Sequence, residues 1–336
     1  MIFISYSIKD ISLLCKAQIF RGTSDEMIHQ IVLDSRKSSP VHHSLFIALK
    51  GPHHDGHNYI KELYERGLRN FMISSGDIPY VHFPEANFIR VENTLRAFQT
   101  IARNHRNKFS IPVIGITGSH GKTIVKEWLS SCLKDLINLS KSPKSYNSQV
   151  GVPLSVWQCN QEHNFGIFEA GVSKPGEMGA LEFMIQPTIG IFTNLGGAHD
   201  ENFKNWEEKA KEKLRLFENS KVLVYCRDFL PIHNLVTKKT HFKELKTFTW
   251  SKKMQADLMI GKISKTDVDS TIQGVYQNQF IKIRVPFNDD ASIENCINCW
   301  ATLLFLGYDS EWVNKRVKFL SPVAMRLELK EGLNNC

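Results

Sequence analysis

The chain has 336 residues, of which 42% are hydrophobic and 23% are charged, a balance that is ordinary for globular domains. At roughly 100–200 residues per domain, this length predicts two domains or three. The net charge of +8 suits anionic ligands such as nucleotides, but no basic run with interleaved aromatic residues, zinc-finger pattern or helix-turn-helix pattern accompanies it. The composition therefore argues against a nucleic-acid-binding protein.

The seven cysteines are odd in number and lie in apolar surroundings, which predicts buried thiols in a reducing compartment. Cys296 and Cys299 form the only close pair, and no second pair with zinc-ligand spacing accompanies them. No stretch approaches the ~18 apolar residues that a membrane helix needs, and the apolar start of the chain is too short for a signal peptide. We expect a cytoplasmic protein without membrane insertion.

The first 109 residues alternate short strands and helices, which predicts a small α/β domain. The predicted strands are 31–33, 44–49, 70–73 and 87–91, and the predicted helices are 58–66 and 92–109. A second domain begins close to residue 110.

Residues 111–123 combine an apolar, β-branched strand with the glycine-rich sequence Thr-Gly-Ser-His-Gly-Lys-Thr, and a helix is predicted over 123–136. In such a strand, loop and helix arrangement, Lys122 would reach the terminal phosphates of a nucleotide and the Thr123 hydroxyl would hold Mg²⁺. The strict phosphate-loop pattern requires glycine at the position of Ile116, so this is a variant loop with Gly118 as its second glycine. The alternative is a chance Gly-Lys-Thr in a surface turn, and the flanking strand and helix favour nucleotide binding.

The rest of the second domain continues as apolar strands separated by helices, which predicts a mostly parallel sheet covered on both faces. Strands are predicted at 165–171, 189–194 and 221–225, an antiparallel hairpin extension within 256–287, and helices at 292–306 and 310–319. Ligands gather at the carboxyl ends of such strands, where the glycine-rich loop, Glu169 and His199 all lie.

Glu169 and His199 offer the oxygen and imidazole donors that could hold Mg²⁺ beside the γ-phosphate of ATP. Each has a simpler interpretation, since Glu169 could cap a following helix and His199 could be a hydrogen-bonded loop histidine. Their occurrence at adjacent strand ends favours the metal-binding role.

Several motifs together resemble the Mur ligases of peptidoglycan synthesis. They are Asp-Ser-Arg at 34–36, Leu-Phe-Ile-Ala-Leu-Lys-Gly at 45–51, Asp-Gly-His at 55–57, the loop at 115–123, Asn-Ser-Gln-Val-Gly-Val-Pro-Leu-Ser at 147–155, Glu-Ala-Gly at 169–171, Thr-Asn at 193–194 and Ala-His at 198–199. The resemblance implies an ATP-dependent ligase that adds D-alanyl-D-alanine to UDP-N-acetylmuramoyl-tripeptide through an acyl phosphate. Segments 175–178 and 212–217 resemble the subgroup fused to an alanine racemase.

The resemblance also implies the domains and their ligands. Residues 1–109 would bind the uridine nucleotide, 110–322 would bind ATP, and 323–336 would be a linker. The implied substrate residues are Asp34, Ser35, Arg36, Lys50, Gly51, Asp55, Gly56, His57, Asn147 and Ser148. The implied ATP-binding residues are Gly118, Ser119, His120, Gly121, Lys122, Thr123, Asn295 and Arg326. The implied Mg²⁺ ligands are Thr123, Glu169, His199 and Lys213, and the implied catalytic residues are Lys122, Lys213 and His199.

Two of these positions depart from the family pattern. Lys213 matches a carbamoylated lysine that helps to hold a second Mg²⁺, but the usual Ala-Lys-Gly-Glu is Glu-Lys-Leu-Arg here. An exposed helical lysine is the alternative. Asn295 matches the asparagine of a His-Asn pair near the adenine, and Glu294 replaces the histidine.

Mur ligases have a third domain that carries an Asp-Ser-Tyr-Asn motif soon after the linker, and this sequence ends before such a motif. We therefore expect a fragment that ligates poorly or not at all by itself. Two alternatives stay open: the related ligase that forms the tripeptide, and a P-loop ATPase or nucleotide-binding module unrelated to the cell wall.

Overall fold

The computed structural model describes residues 4–22, 25–36, 42–74, 78–197, 200–238, 242 and 244–323. The chain divides into two compact units. The first comprises the described residues of Met1–Ser110 together with Val156–Glu162, and the second those of Ile111–Ser155 and His163–Cys336. Within the described ranges, no helix has the length and apolar character needed to cross a bilayer.

The first unit contains a five-stranded sheet in the order β2-β7-β6-β5-β4, which is parallel except for the edge strand β2, and a separate antiparallel pair β1-β3. Its strands are β1 Tyr6–Ser7, β2 Gln18–Arg21, β3 Met27–Ile28, β4 Gln30–Val32, β5 Ser44–Ile47, β6 Asn70–Ile73 and β7 Asn87–Arg90. Its helices are α1 Ile8–Leu14, α2 Ile60–Glu65 and α3 Thr94–Arg106, with 3-10 turns at Gly56–Tyr59 and Tyr80–His82. Phenylalanines of the three central strands form a core with α2.

Two helix boundaries in this unit differ from the prediction. Helix α3 begins at Thr94 because the Asn93 side chain accepts the backbone N–H of Arg96 at 2.9 Å and so caps the helix. The predicted helix 58–66 is divided into a 3-10 turn and α2, because Asp55 accepts the backbone N–H of His57 and starts the tighter turn.

The second unit contains a nine-stranded sheet in the order β16-β15-β14-β13-β12-β11-β8-β10-β9. Its strands are β8 Val113–Thr117, β9 Leu139–Lys141, β10 Phe165–Glu169, β11 Ile189–Phe192, β12 Val222–Cys226, β13 Lys246–Ser251, β14 Leu258–Lys265, β15 Ser270–Tyr276 and β16 Gln279–Val285. Its helices are α4 Lys122–Leu133, α5 Gly151–Trp157, α6 Met178–Ile185, α7 Trp206–Leu214, α8 Leu230–Thr237, α9 Asp290–Phe305 and α10 Ser310–Val317, with α5 continuing into the segment assigned to the first unit. Pairing is parallel from β9 to β14 and antiparallel from β14 to β16, which confirms the predicted α/β fold with an antiparallel extension.

Strand β8 lies where the order of the parallel strands reverses. The chain runs from β8 to β9 and β10 on one side, and then crosses to β11 on the other. The turns after β8, β10 and β11 therefore open at one edge, where ligands bind in sheets of this kind. Ile116 is a fully buried strand residue that pairs with Glu169 and Ile191. The position that the strict pattern assigns to glycine is thus part of the sheet core.

Candidate active site

The glycine-rich loop joins β8 to α4, and two of its glycines are required by their surroundings. Gly118 has a φ of 151° and Gly121 a φ of 80°, both in a region that favours glycine. A Cβ atom on Gly118 would lie 2.0 Å from Thr193 Oγ1, and one on Gly121 would lie 2.2 Å from Asn295 Oδ1. Both backbone conformation and lack of space therefore exclude larger residues.

Residues that follow β11 hold the loop from its other side. The backbone N–H groups of Ser119 and His120 donate to the Asn194 backbone oxygen at 3.0 Å and to its Oδ1 at 2.9 Å. The Thr193 hydroxyl donates to the His120 carbonyl at 2.6 Å. Since these two loop N–H groups are already used, the donors for an anion must come from the first turn of α4.

The N-terminus of α4 differs from those of α3, α7, α9 and α10, which each begin at an Asn or Asp whose side chain accepts a backbone N–H. Helix α4 begins at Gly121 and has no side-chain cap. Lys122 Nζ donates to the Gly118 carbonyl at 2.8 Å and to the Ser119 carbonyl at 3.3 Å, so its positive charge lies beside the glycine-rich loop at the N-terminus of α4. An uncapped helix N-terminus beside a lysine is suited to binding an anion.

Glu169, at the end of β10, lies next to this helix terminus and is fully buried. Its Oε2 accepts the Thr123 hydroxyl at 3.0 Å and the Asn147 amide at 3.4 Å. Its backbone N–H donates to Ser142 Oγ at 3.2 Å. The structure thus brings together Thr123, Asn147 and Glu169, three residues that the sequence analysis singled out separately.

Lys126 belongs to the same cluster, and the sequence analysis missed it. Its Nζ lies 2.9 Å from Glu169 Oε1, and both side chains are fully buried. The two charged groups form an ion pair by distance, but the contact lacks hydrogen-bond geometry, and Oε1 accepts no hydrogen bond among the described residues. The signal that could have revealed it is a lysine three residues after Thr123, on a helix face whose next positions, Leu129 and Ser130, are buried.

Lys213 lies on α7 with its Nζ 3.3 Å from the Gly118 carbonyl. It is only 3% exposed, so the alternative of an exposed helical lysine is wrong. Burial, together with the positive charges of Lys122 and Lys209 and against the opposing charge of Glu212, lowers the pKa of Lys213 to about 7. The Lys213 amine is therefore neutral to a large extent near pH 7.

The remaining candidates in this unit have different settings. Asn295, on α9, is buried against Gly121 of the loop. Ser148 Oγ accepts the backbone N–H of Gly151 at 3.1 Å and so starts α5. His199 and Arg326 lie outside the described residues.

In the first unit, residues 34–36 border a cavity of about 470 Å³. Arg36 is exposed and pairs with the Asp34 carboxylate, Nε to Oδ1 at 2.9 Å and Nη2 to Oδ2 at 3.1 Å. Ser35 is buried, and its carbonyl accepts Arg66 Nη1 at 2.5 Å. The ring of Tyr59 completes this wall. A cavity with an aromatic ring and an exposed guanidinium suits a nucleotide base and an anion.

Lys50, Gly51, Asp55, Gly56 and His57 form a neighbouring turn. Asp55 accepts the His57 ring at 2.5 Å, and the ring's Nε2 accepts the Ser74 backbone N–H at 3.0 Å, so Nδ1 carries the proton. Lys50 Nζ lies 3.8 Å from Asp55, Gly51 donates to the His54 carbonyl, and Gly56 donates to the Leu49 carbonyl. Asp55 and His57 line a second cavity, of about 630 Å³, and residues 34–36 do not.

Substituting Gly121 by alanine should destabilise the second unit, because the new methyl group would meet Asn295. Gly176→Ala is the matched control, since Gly176 has a similar φ of 86° and nothing within 4 Å of the added atom. A strained φ costs about 1–3 kcal/mol in both variants, and the clash should lower the thermal midpoint of Gly121→Ala by a further ~2–4 °C or more. Equal midpoints, measured by circular dichroism, would contradict the close contact with Asn295.

Comparison with known families and proteins matches both units. Residues 27–106 match the model described as the Mur ligase family catalytic domain, and residues 116–303, more than half of the chain, match the Mur ligase middle domain. The chain is 27% identical over 333 residues to the UDP-N-acetylmuramoyl-tripeptide--D-alanyl-D-alanine ligase of Bacillus subtilis, covering 97% of this chain and 69% of that protein. It is 35% identical over 218 residues to the ligase of the same name from Buchnera aphidicola subsp. Acyrthosiphon pisum, covering 65% of this chain and 46% of that protein.

Solved structures show the same fold. MurF from Acinetobacter baumannii superposes with a TM-score of 0.86 at 21% identity, over 99% of this chain and 72% of that one. The MurF ligase from Thermotoga maritima in complex with ADP gives 0.77 at 22% identity, over 90% of this chain and 69% of that one. Taken with the two family matches, these findings mean that the chain belongs to the Mur ligase family.

Proposed function

We propose that this chain provides the uridine-nucleotide-binding and ATP-binding parts of a MurF-type ligase, the enzyme that joins D-alanyl-D-alanine to UDP-N-acetylmuramoyl-tripeptide. The observation that carries the proposal is the Thr123 hydroxyl bonded to the buried Glu169 beside the Lys122 loop. The names of the relatives with which the chain aligns support the choice of substrate.

In this proposal, the phosphates of ATP lie against the first turn of α4. The helix terminus has no side-chain cap, so a phosphate would satisfy its N–H groups. Lys122 would exchange its two contacts with loop carbonyls for contacts with the terminal phosphates. Asn295, which closes the loop at Gly121, would border the nucleotide, and His199 and Arg326 keep the roles predicted for them.

The residues present fit a Mg²⁺ ion. Thr123 and Glu169 provide a hydroxyl and a carboxylate, the hard oxygen donors that this ion prefers, and Mg²⁺ usually takes only one or two carboxylates besides phosphates. In the described ranges, no three His, Cys, Asp or Glu side chains converge on one site. When bound, Mg²⁺ would neutralise charge on the phosphates.

Lys213 is proposed to take up CO₂ as a carbamate. Carbamate formation requires the neutral amine, which attacks the carbon of CO₂ and releases a proton. A buried amine with a pKa near 7 meets this requirement, whereas an exposed lysine stays protonated. The carbamate places a negative charge beside the loop where the neutral amine carried none.

The reaction proposed has two stages. The tripeptide carboxylate attacks the γ-phosphate of ATP and gives an acyl phosphate and ADP, and the amine of D-alanyl-D-alanine then displaces phosphate. Phosphoryl transfer of this kind depends on positioning and on charge stabilisation rather than on covalent chemistry by the protein. Lys122 would stabilise the charge on the transferred phosphate, and Asn147, through Glu169, would link the substrate side to the loop.

A binding experiment tests the substrate. UDP-N-acetylmuramoyl-tripeptide should bind to the chain in calorimetry, and Arg36→Ala should weaken binding about 10-fold or more, because a charged hydrogen bond contributes about 1.5–3 kcal/mol. Arg96→Ala, at an exposed arginine in the same unit, is the control. Binding of ATP without binding of the UDP-linked precursor would instead support a P-loop ATPase outside cell-wall synthesis.

A further inference from the structure

We infer that Lys126 is a positioning residue that occupies Glu169 Oε1, leaves Oε2 as the only oxygen that Glu169 offers to a divalent cation, and thereby favours Mg²⁺ over Ca²⁺. The inference rests on the proposed metal-binding role of Glu169. It assigns a function to a buried lysine that the reaction itself does not use.

The first argument is that Lys126 is fixed in place. Its Nζ donates to the Ser142 carbonyl at 2.7 Å and to the Lys144 carbonyl, both in the turn that follows β9. It also lies 3.0 Å from Glu127 Oε1 and 2.9 Å from Glu169 Oε1. These four contacts and the complete burial of the side chain hold the ammonium group beside Glu169 Oε1.

The second argument is that the charges balance without a metal ion. Glu127 also pairs with Lys141 at 2.5 Å, so two lysines and two glutamates make a neutral network. If the buried ammonium moved away from Glu169, each group would be left as an uncompensated buried charge, at a cost of several kcal/mol. Lys126 therefore keeps Oε1 occupied whether or not a cation is present.

The third argument concerns coordination. Calcium takes six to eight oxygen ligands and commonly binds both oxygens of a carboxylate, whereas Mg²⁺ requires a compact octahedron and takes few carboxylate oxygens. Glu169 Oε2 is the oxygen shared with the Thr123 hydroxyl and the Asn147 amide. Because Lys126 holds the other oxygen, Glu169 can act only as a single-oxygen ligand, which disfavours Ca²⁺.

A purely structural role for the ion pair makes a different prediction. Removing Lys126 would then lower stability and would affect all divalent cations alike. Mg²⁺ and Ca²⁺ carry the same charge, so removal of the positive charge of Lys126 should change the two affinities by the same factor. That factor cancels in the ratio of the affinities. The ratio of the two affinities reports only on coordination.

The experiment measures binding of a non-hydrolysable ATP analogue to the full chain by calorimetry, with either MgCl₂ or CaCl₂. The wild-type chain should bind more tightly with Mg²⁺, and Lys126→Met should narrow the Mg²⁺ to Ca²⁺ preference by about tenfold. Lys141→Met, which alters the same network without touching Glu169, should leave the preference unchanged. If Lys126→Met does not fold, Lys126→Gln takes its place. If neither variant folds, the inference is overturned by a wild-type chain that binds the ATP analogue equally well with Mg²⁺ and with Ca²⁺.

Glu169→Gln separates the two proposals. If this variant keeps the full dependence of nucleotide binding on the divalent cation, the proposed metal site itself is wrong. If the variant loses that dependence but Lys126→Met keeps the wild-type preference for Mg²⁺, only the role assigned to Lys126 is wrong.

Discussion

Replacing Lys122 with alanine is expected to weaken ATP binding by about 10- to 100-fold, because hydrogen bonds to charged groups contribute about 1.5–3 kcal/mol. The Lys122 ammonium donates to the Gly118 and Ser119 carbonyls, and a phosphate bound at the first turn of α4 would take over these hydrogen bonds. Titration calorimetry with ATP and Mg²⁺ measures the effect directly.

Lys134→Ala is the matched control, since Lys134 ends the same helix at an exposed position away from the loop. Its ATP affinity should equal that of the unaltered chain. The Lys122→Ala variant should lose less affinity for ADP than for ATP, because ADP lacks the terminal phosphate. Unchanged ATP binding by Lys122→Ala would refute the assignment of this loop as the phosphate site.

A chain equilibrated with ¹³C-bicarbonate is expected to give a carbamate signal in its ¹³C NMR spectrum, and Lys213→Arg is expected to abolish it. Arginine keeps the positive charge but has no amine that can react with CO₂ at neutral pH. Lys211→Arg, at a half-exposed lysine two residues away on α7, should retain the signal. A signal of equal strength in Lys213→Arg would contradict carbamate formation at this residue.

The carbamate should also depend on pH in a defined direction. Burial lowers the pKa of Lys213 from 10.5 to about 7, so the reactive neutral amine predominates above pH 7 and becomes scarce below it. The signal should therefore be strong at pH 8 and weak at pH 6. An exposed lysine would need a pH near its ordinary pKa to reach the same neutral fraction. A carbamate signal that reached half of its maximum only above pH 9 would therefore contradict the lowered pKa of the buried Lys213.

Local sequence patterns were sufficient to predict much of the fold. The apolar run of β8, the glycines at 118 and 121 and the apolar periodicity of α4 predicted a strand, a loop and a helix in the right order. The boundaries were less accurate: the helix predicted over 123–136 occupies Lys122–Leu133, because the pattern does not indicate how many residues at its end remain in a turn.

The sequence by itself determined the alternation of strands and helices, the glycine-rich loop and the motifs that link the chain to the Mur ligases, because each depends on residues that are neighbours along the chain. Only the tertiary structure decided which charged side chains are buried and what they contact. Lys126 meets Glu169 because α4 packs beside β10, and Lys213 reaches Gly118 across 95 positions of sequence. A charge that looks solvated in the sequence acquires its pKa and its partner only from the elements folded around it.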